Sequence, residues 1–250
     1  MSLVEELYAP LVAPARSLMD TDPDIQKIHS PGISGDLLAL WLMHFSAQGA
    51  AMTRPVDDWI GRAGTRCVEL GLESVGQALQ AHARAEAGHD AWMVDDLRFL
   101  VKYWNAGARI PLSAEALLAE ENIAPVNEYI RLHEDTIDGP APYAQVAIEY
   151  EIERMSTVLG PRFVARLDEN PELKEGTSFI KDHVSLDVAH TAFNERQLER
   201  VLEAVPAQAD RLAEAGASAL RSYLNVMGAC LRRAEQDLAR ELSERDRVHS

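Results

Sequence analysis

Apolar residues recur at intervals of three and four over long stretches of the chain, and no stretch alternates apolar and polar positions between tight turns. The pattern predicts an all-α protein. Breakers at Pro31-Gly32, Pro55, Gly71, Asn105-Ala106-Gly107, Gly139-Pro140, Gly160-Pro161, Asn170-Pro171 and Pro206 leave about seven helices. Ser34 should cap the first long one, which runs through Leu37, Leu40, Trp41 and Phe45 to near Thr53, with Pro55 at the first position of the next. A third helix is expected over about 73–103. A fourth starts at Ser113, and Pro125 breaks it to leave 126–137 as a continuation. The fifth follows Pro142 to near Leu159, where Gly160-Pro161 should end or kink it before a short continuation to Leu167. The sixth spans about 176–205 and the last about 207–244. No Gly-, Ser- or Pro-rich linker is long enough to separate domains, so residues 1–250 are expected to form a single one.

Composition narrows the function classes. The 250 residues carry 24 Lys and Arg against 40 Asp and Glu, a formal charge of −16, which repels nucleic acid and anionic membrane surfaces. The longest apolar run, Leu37 to Met43, stops at His44, far short of the roughly 20 residues that span a bilayer. Glu5 and Glu6 sit where a signal peptide would be basic and then apolar. The two cysteines, Cys67 and Cys230, form no framework, which fits free thiols in a reducing compartment. A cytoplasmic protein is expected.

Candidate chemistry lies on three of the expected helices. On the third, His82, Glu86, His89, Met93 and Asp96 share one stripe at about 100° per residue, and a Glu and a His three apart can bind one metal ion. On the sixth, His183, Asp187 and His190 lie within about 60° of one another, beside Phe179, Ile180, Leu186, Leu198 and Val201. Polar groups on such an inward face need partners or a metal, and two histidines with one carboxylate suit iron. The fifth offers Glu149, Glu151 and Glu153. Glu151 falls off the apolar stripe near Arg154 and is expected in solvent, while Glu149 and Glu153 share a face with Val146, Ser156 and Gly160, so one or both should face the site. Three imidazoles and three carboxylates suffice for two divalent ions and retain roughly one positive charge, which favours bound oxygen species or an anion.

Glu86-Ala-Gly-His89 followed by Asp95-Asp96-Leu97, the stretch 149–156, and His183-x-x-x-Asp187-x-x-His190 together resemble the haem-oxygenase-like di-metal oxidases, or iron-containing redox enzymes, over most of the chain. The resemblance implies a bundle of seven helices in which two Fe(II) ions, with manganese as the alternative, activate O2. Its ligand set would be Glu86, His89, Glu149 or Glu153, His183, Asp187 and His190. Beyond that set, His82 is an additional imidazole one turn before Glu86, read either as a hydrogen-bonding support for the ligands or as a packed or solvent-edge residue, and Asp96 either orients His89 or His82 or lies exposed beside Asp95. Activities in the family include N-oxygenation of amino acids or amines, oxidative C–C cleavage or decarboxylation of aliphatic acids, and self-sacrificing oxidation. A small-molecule substrate is implied, and an external electron donor and a homodimer are compatible with it. Trp41, Phe45, Met52, Ser156 and Gly160 are the residues expected to govern substrate acceptance.

Three other readings compete. A haem-binding bundle would use His44, a thiaminase-like one would need Cys67 or Cys230 in its pocket, and a non-catalytic metal or ligand binder would keep the cluster without turnover. No GxSxG or GxxxxGK[ST] motif supports a hydrolase or a nucleotide-binding loop. His29, His133 and His249 have no evident partners in the sequence and are expected on the surface.

Overall fold

The computed structural model describes residues 2–248, and among these there are helices and turns but no strand. A π-helical turn, Val4–Tyr8, leads into three short helices, α1 (Ala9–Arg16), α2 (Leu18–Thr21) and α3 (Pro23–Ile28). There follow α4 (Gly35–Thr53), α5 (Val56–Glu69), α6 (Glu73–Glu86), α7 (Asp90–Asn105), α8 (Ala114–Leu118) and α9 (Ala124–Asp138). The chain ends with α10 (Gln145–Glu169), α11 (Ser178–Ala204) and α12 (Ala209–Val248).

The helix α4 is the axis of the bundle. It is apolar on all sides, so it can exist only surrounded by other elements. It packs against α7, α8, α9 and α12, and nearly every side chain from Leu37 to Ala50 is buried. Ser34 caps it as expected, accepting from Leu37 N at 3.2 Å. Helices α5 and α6 form an antiparallel pair, α10 lies along α11 and α12, and the N-terminal segment folds back onto α12.

Four expectations about the helices are corrected. The single helix over 73–103 is two, because Ala87 is extended and Gly88 has φ +85°, so the chain turns between Glu86 and Asp90. Only glycine takes that backbone conformation without strain. Pro55 is the N-cap of α5 and not its first residue. Of the end or kink expected at Gly160-Pro161, the end does not occur, and α10 continues past Leu167 to Glu169. The Pro161 ring is exposed, so the missing backbone donor is lost on the side facing water. Leu186, placed on the inward stripe of α11, is 37 % exposed.

Three polar residues also depart from expectation. Glu151 is 1 % exposed because Arg16 reaches across from α1 and donates from Nε to Oε2 (2.9 Å) and from Nη2 to Oε1 (2.6 Å). His133 is 1 % exposed, stacked on Trp59 with ring centroids 4.1 Å apart. His29 is half-buried and edge-on to Phe163. His249 lies outside the described residues.

Candidate metal centre

The end of α6, the start of α7, the middle of α10 and the first half of α11 converge on one buried cluster of imidazoles and carboxylates. Two groups of ligand-type atoms are close enough to surround a cation: His82, Glu86, Glu153 and His190 form one, and Glu86, His89 and His183 the other. Glu86 belongs to both.

In the first group Glu86 Oε1 lies 3.3 Å from His82 Nε2 and 3.1 Å from His190 Nδ1, and Glu153 Oε1 lies 3.0 and 3.7 Å from the same nitrogens. Yet His82 Nε2 and His190 Nδ1 are buried without an aligned hydrogen-bond partner. Such orphaned nitrogens are costly inside a protein, and atoms that converge on a common space without pairing with one another are what a metal ligand set requires. The donor set passes that test: imidazole and carboxylate are the ligands that iron and manganese accept. In the second group His89 Nδ1 and Glu86 Oε2 are 2.9 Å apart. His183 directs Nδ1 to Phe179 O at 2.7 Å, which makes that nitrogen the donor and leaves Nε2 as the nitrogen free to accept. Trp92 stacks on His89 at 4.3 Å and fixes its ring.

The surrounding polar groups hold these side chains in place. Asn194 donates to Glu153 Oε2 at 2.7 Å, and Gln145 donates to Glu149 Oε1 at 2.6 Å while contacting His133 Nδ1 at 2.7 Å. Both could have been read from spacing: Asn194 extends the stripe of His183, Asp187 and His190 by one turn, and Gln145 is one turn before Glu149. Asp96 is not beside His82 or His89 as a hydrogen-bonding support. It accepts from Ser178 N and Oγ (2.9 and 2.8 Å) and from Phe179 N (2.9 Å), so it caps α11 from α7.

Protonation follows from burial and proximity. Burial opposes charge on His82, but Glu153 and Glu86 outweigh it and raise the imidazole to about 10. Burial would also raise Glu86, yet the facing imidazoles of His190, His82 and His89 hold it well below the usual carboxylate range. Burial pushes Glu149 up to about 8 and Asp187 up to about 7, Glu153 adding to both and hydrogen bonds from Gln145 and Ser156 respectively opposing it. The structure thus gathers Glu86, His89, Glu153, His183 and His190 with His82 into the two groups. Glu149 and Asp187 stand beside them, Asp187 Oδ1 lying 3.8 Å from His190 Nδ1.

A cavity of about 130 Å³ opens against this cluster, and its wall includes Trp41, Phe45, Met52, Ser156 and Gly160 together with Glu86, His183 and Asp187. Gly160 permits the wall to close: a Cβ there would meet Val184 Cγ2 at 2.2 Å. His44 is elsewhere, with Nε2 2.8 Å from Asp237 Oδ2, and does not line the cavity, which removes the residue that haem ligation would have used. Cys67 and Cys230 are buried, do not line the cavity, and are pushed up to about 12 by burial, so neither serves as a pocket nucleophile.

No family description and no curated protein matches the chain. Among solved structures it is similar to a domain of unknown function with a haem-oxygenase-like fold from Shewanella denitrificans OS217, with TM-score 0.63, 14 % identity, and coverage of 92 % of this chain and 90 % of that one. It is also similar to a CADD-like protein of unknown function from Nostoc punctiforme PCC 73102, with TM-score 0.52, 14 % identity, and coverage of 91 % and 96 %. The fold is therefore haem-oxygenase-like. No helix among the described residues is long and apolar enough to cross a membrane.

Proposed function

We propose that this chain is a non-haem di-metal oxidase or oxygenase that uses O2 to oxidise a small organic substrate. The observation that supports this reading is Glu86, whose two carboxylate oxygens face different sets of histidines at the floor of an apolar cavity. Two irons, or manganese in their place, would be held by His82, Glu86, Glu153 and His190 and by Glu86, His89 and His183, and would supply the reduction of O2.

The chain's own residues do the rest. His183 keeps Nε2 available by donating Nδ1–H to Phe179 O, and Asn194 turns Glu153 so that Oε1 faces the histidines. Asp187 and Glu149 line the cavity beside the cluster, where burial raises both carboxyls and lets them hold or release a proton near neutral pH. Trp41, Phe45 and Met52 exclude water from the substrate side. N-oxygenation of an amine and cleavage or decarboxylation of an aliphatic acid are both compatible with this wall.

Anaerobic titration of metal-free protein with Fe(II), and separately with Mn(II), tests the reading. Saturation near two ions per chain, followed by substrate-dependent O2 consumption, is the expected result. Failure to bind either metal stoichiometrically overturns it.

A further inference from the structure

His29 lies at the other end of the cavity. The helix α10 serves as a ruler along the wall: Glu153, Ser156, Gly160 and Phe163 follow one another on it, and at 1.5 Å per residue Phe163 is about 15 Å beyond Glu153. His29 packs edge-on to Phe163 with ring centroids 5.6 Å apart. Between it and the metal-ligand cluster the wall is made largely of Trp41, Phe45, Met155, Leu159 and Met227.

Both nitrogens of His29 are buried and neither has a hydrogen-bond partner. His29 also lines a surface cleft that includes Asp20, Lys27, Ser30 and Arg162, so the residue is common to that cleft and the cavity. Burial lowers its pKa to about 4, with Arg162 and Arg166 adding to the effect, so the ring is neutral. A neutral imidazole leaves one N–H donor and one acceptor unsatisfied, an arrangement that a ligand oxygen would relieve. The two guanidiniums, Arg162 paired with Asp20 and Arg166 with Glu169 at 2.7 Å each, disfavour an ammonium group at the ring.

We infer that His29 seats the oxygen head group of an amphiphilic ligand, a carboxylic acid or an alcohol, which enters from the surface cleft and lays its apolar chain along α10 towards Glu86. The seat itself is independent of the metals. The consequence that the apolar end, and not the head, is presented for oxidation rests on the proposed function.

Calorimetry on metal-free protein tests the seat, with octanoate, decanoate and dodecanoate, dodecanol and dodecylamine as probes. Affinity should rise with chain length, the amine should bind at least tenfold more weakly than the acid, and His29→Leu should weaken the preferred probe at least tenfold. Tighter binding of dodecanoate than of dodecanol assigns a carboxylate head, and the reverse order a hydroxyl. His29→Gln, which retains a donor and an acceptor, should recover most of the loss. Fe(II) stoichiometry should be the same in both variants. Equal binding by His29→Leu and the original protein, or equal binding of acid and amine, overturns the inference. Normal probe binding without stoichiometric metal uptake would instead count against the metal centre and leave the seat standing.

Discussion

Asn194 donates from Nδ2 to Glu153 Oε2 at 2.7 Å, and this single bond decides which oxygen of Glu153 the cluster sees. The other oxygen, Oε1, is the one 3.0 Å from His82 Nε2. Supporting bonds of this kind typically change metal affinity by about 10–100-fold when removed. On the proposed two-metal reading, Asn194→Ala should therefore weaken the ion held by the group containing Glu153 by roughly that factor and leave the other nearly unchanged. Competition with a chelator of known affinity measures it, and an equal effect on both ions would show that Asn194 does not act through Glu153.

The sharing of Glu86 predicts a pattern of stoichiometry. His183→Ala should retain one metal, held by the group containing His82 and His190, and His190→Ala should retain the other, held by the group containing His89. Glu86→Ala should lose both. Metal content after dialysis distinguishes these outcomes, and two tightly held ions in Glu86→Ala would refute the shared-carboxylate arrangement. Circular dichroism should remain helical in all three variants, because the apolar core around α4 does not depend on the cluster.

Asp96 links α7 to the first turn of α11 through three hydrogen bonds. Asp96→Ala removes a cap and leaves buried donors unpaired, which should destabilise the fold by about 1–3 kcal/mol. It should also impair the group containing His89 and His183 more than the other, since those residues lie at the ends of the helices that Asp96 joins. Chemical denaturation and metal titration of the same variant report both effects.

Acid should expose the burial of His133. Burial, offset in part by Gln145, lowers this imidazole to about 3, whereas in the unfolded chain it titrates at the ordinary 6.5. The unfolded state therefore binds the extra proton over that window, and stability falls as pH falls from about 6.5 towards 3. The contribution is complete above the upper limit and is on the order of a few kcal/mol across the window. Urea denaturation of the metal-free protein at several pH values should show this loss, with a shallower slope in His133→Gln. Identical slopes would mean that His133 is protonated in the folded state.

Local signals in the sequence translated faithfully into structure. Ser34 before an apolar run is a cap whose partner is three residues away, so spacing alone predicts it. The stripe of His183, Asp187 and His190 converges because a single helix carries it, and Trp41, Phe45 and Met52 line the cavity because α4 presents them on one side. What spacing could not reveal was long-range closure. Glu151 sits on the polar side of its own helix, and only the return of Arg16, 135 residues earlier, buries it. His133 has ordinary neighbours in sequence, and its enclosure depends on Trp59 stacking from α5. The turn at Gly88 was hidden because the flanking residues keep helical periodicity, and a single glycine inside such a pattern is often tolerated.

That turn has a mechanical consequence. His82 and Glu86 ride on α6, and His89 stands past the turn as the N-cap of α7, so Glu86 and His89, members of one group, belong to separate rods joined by Ala87 and Gly88. A continuous helix would lock the spacing of these side chains to its pitch. A joint between rods lets the gap between Glu86 and His89 be adjusted by backbone rotation, while His82 keeps its place one turn before Glu86.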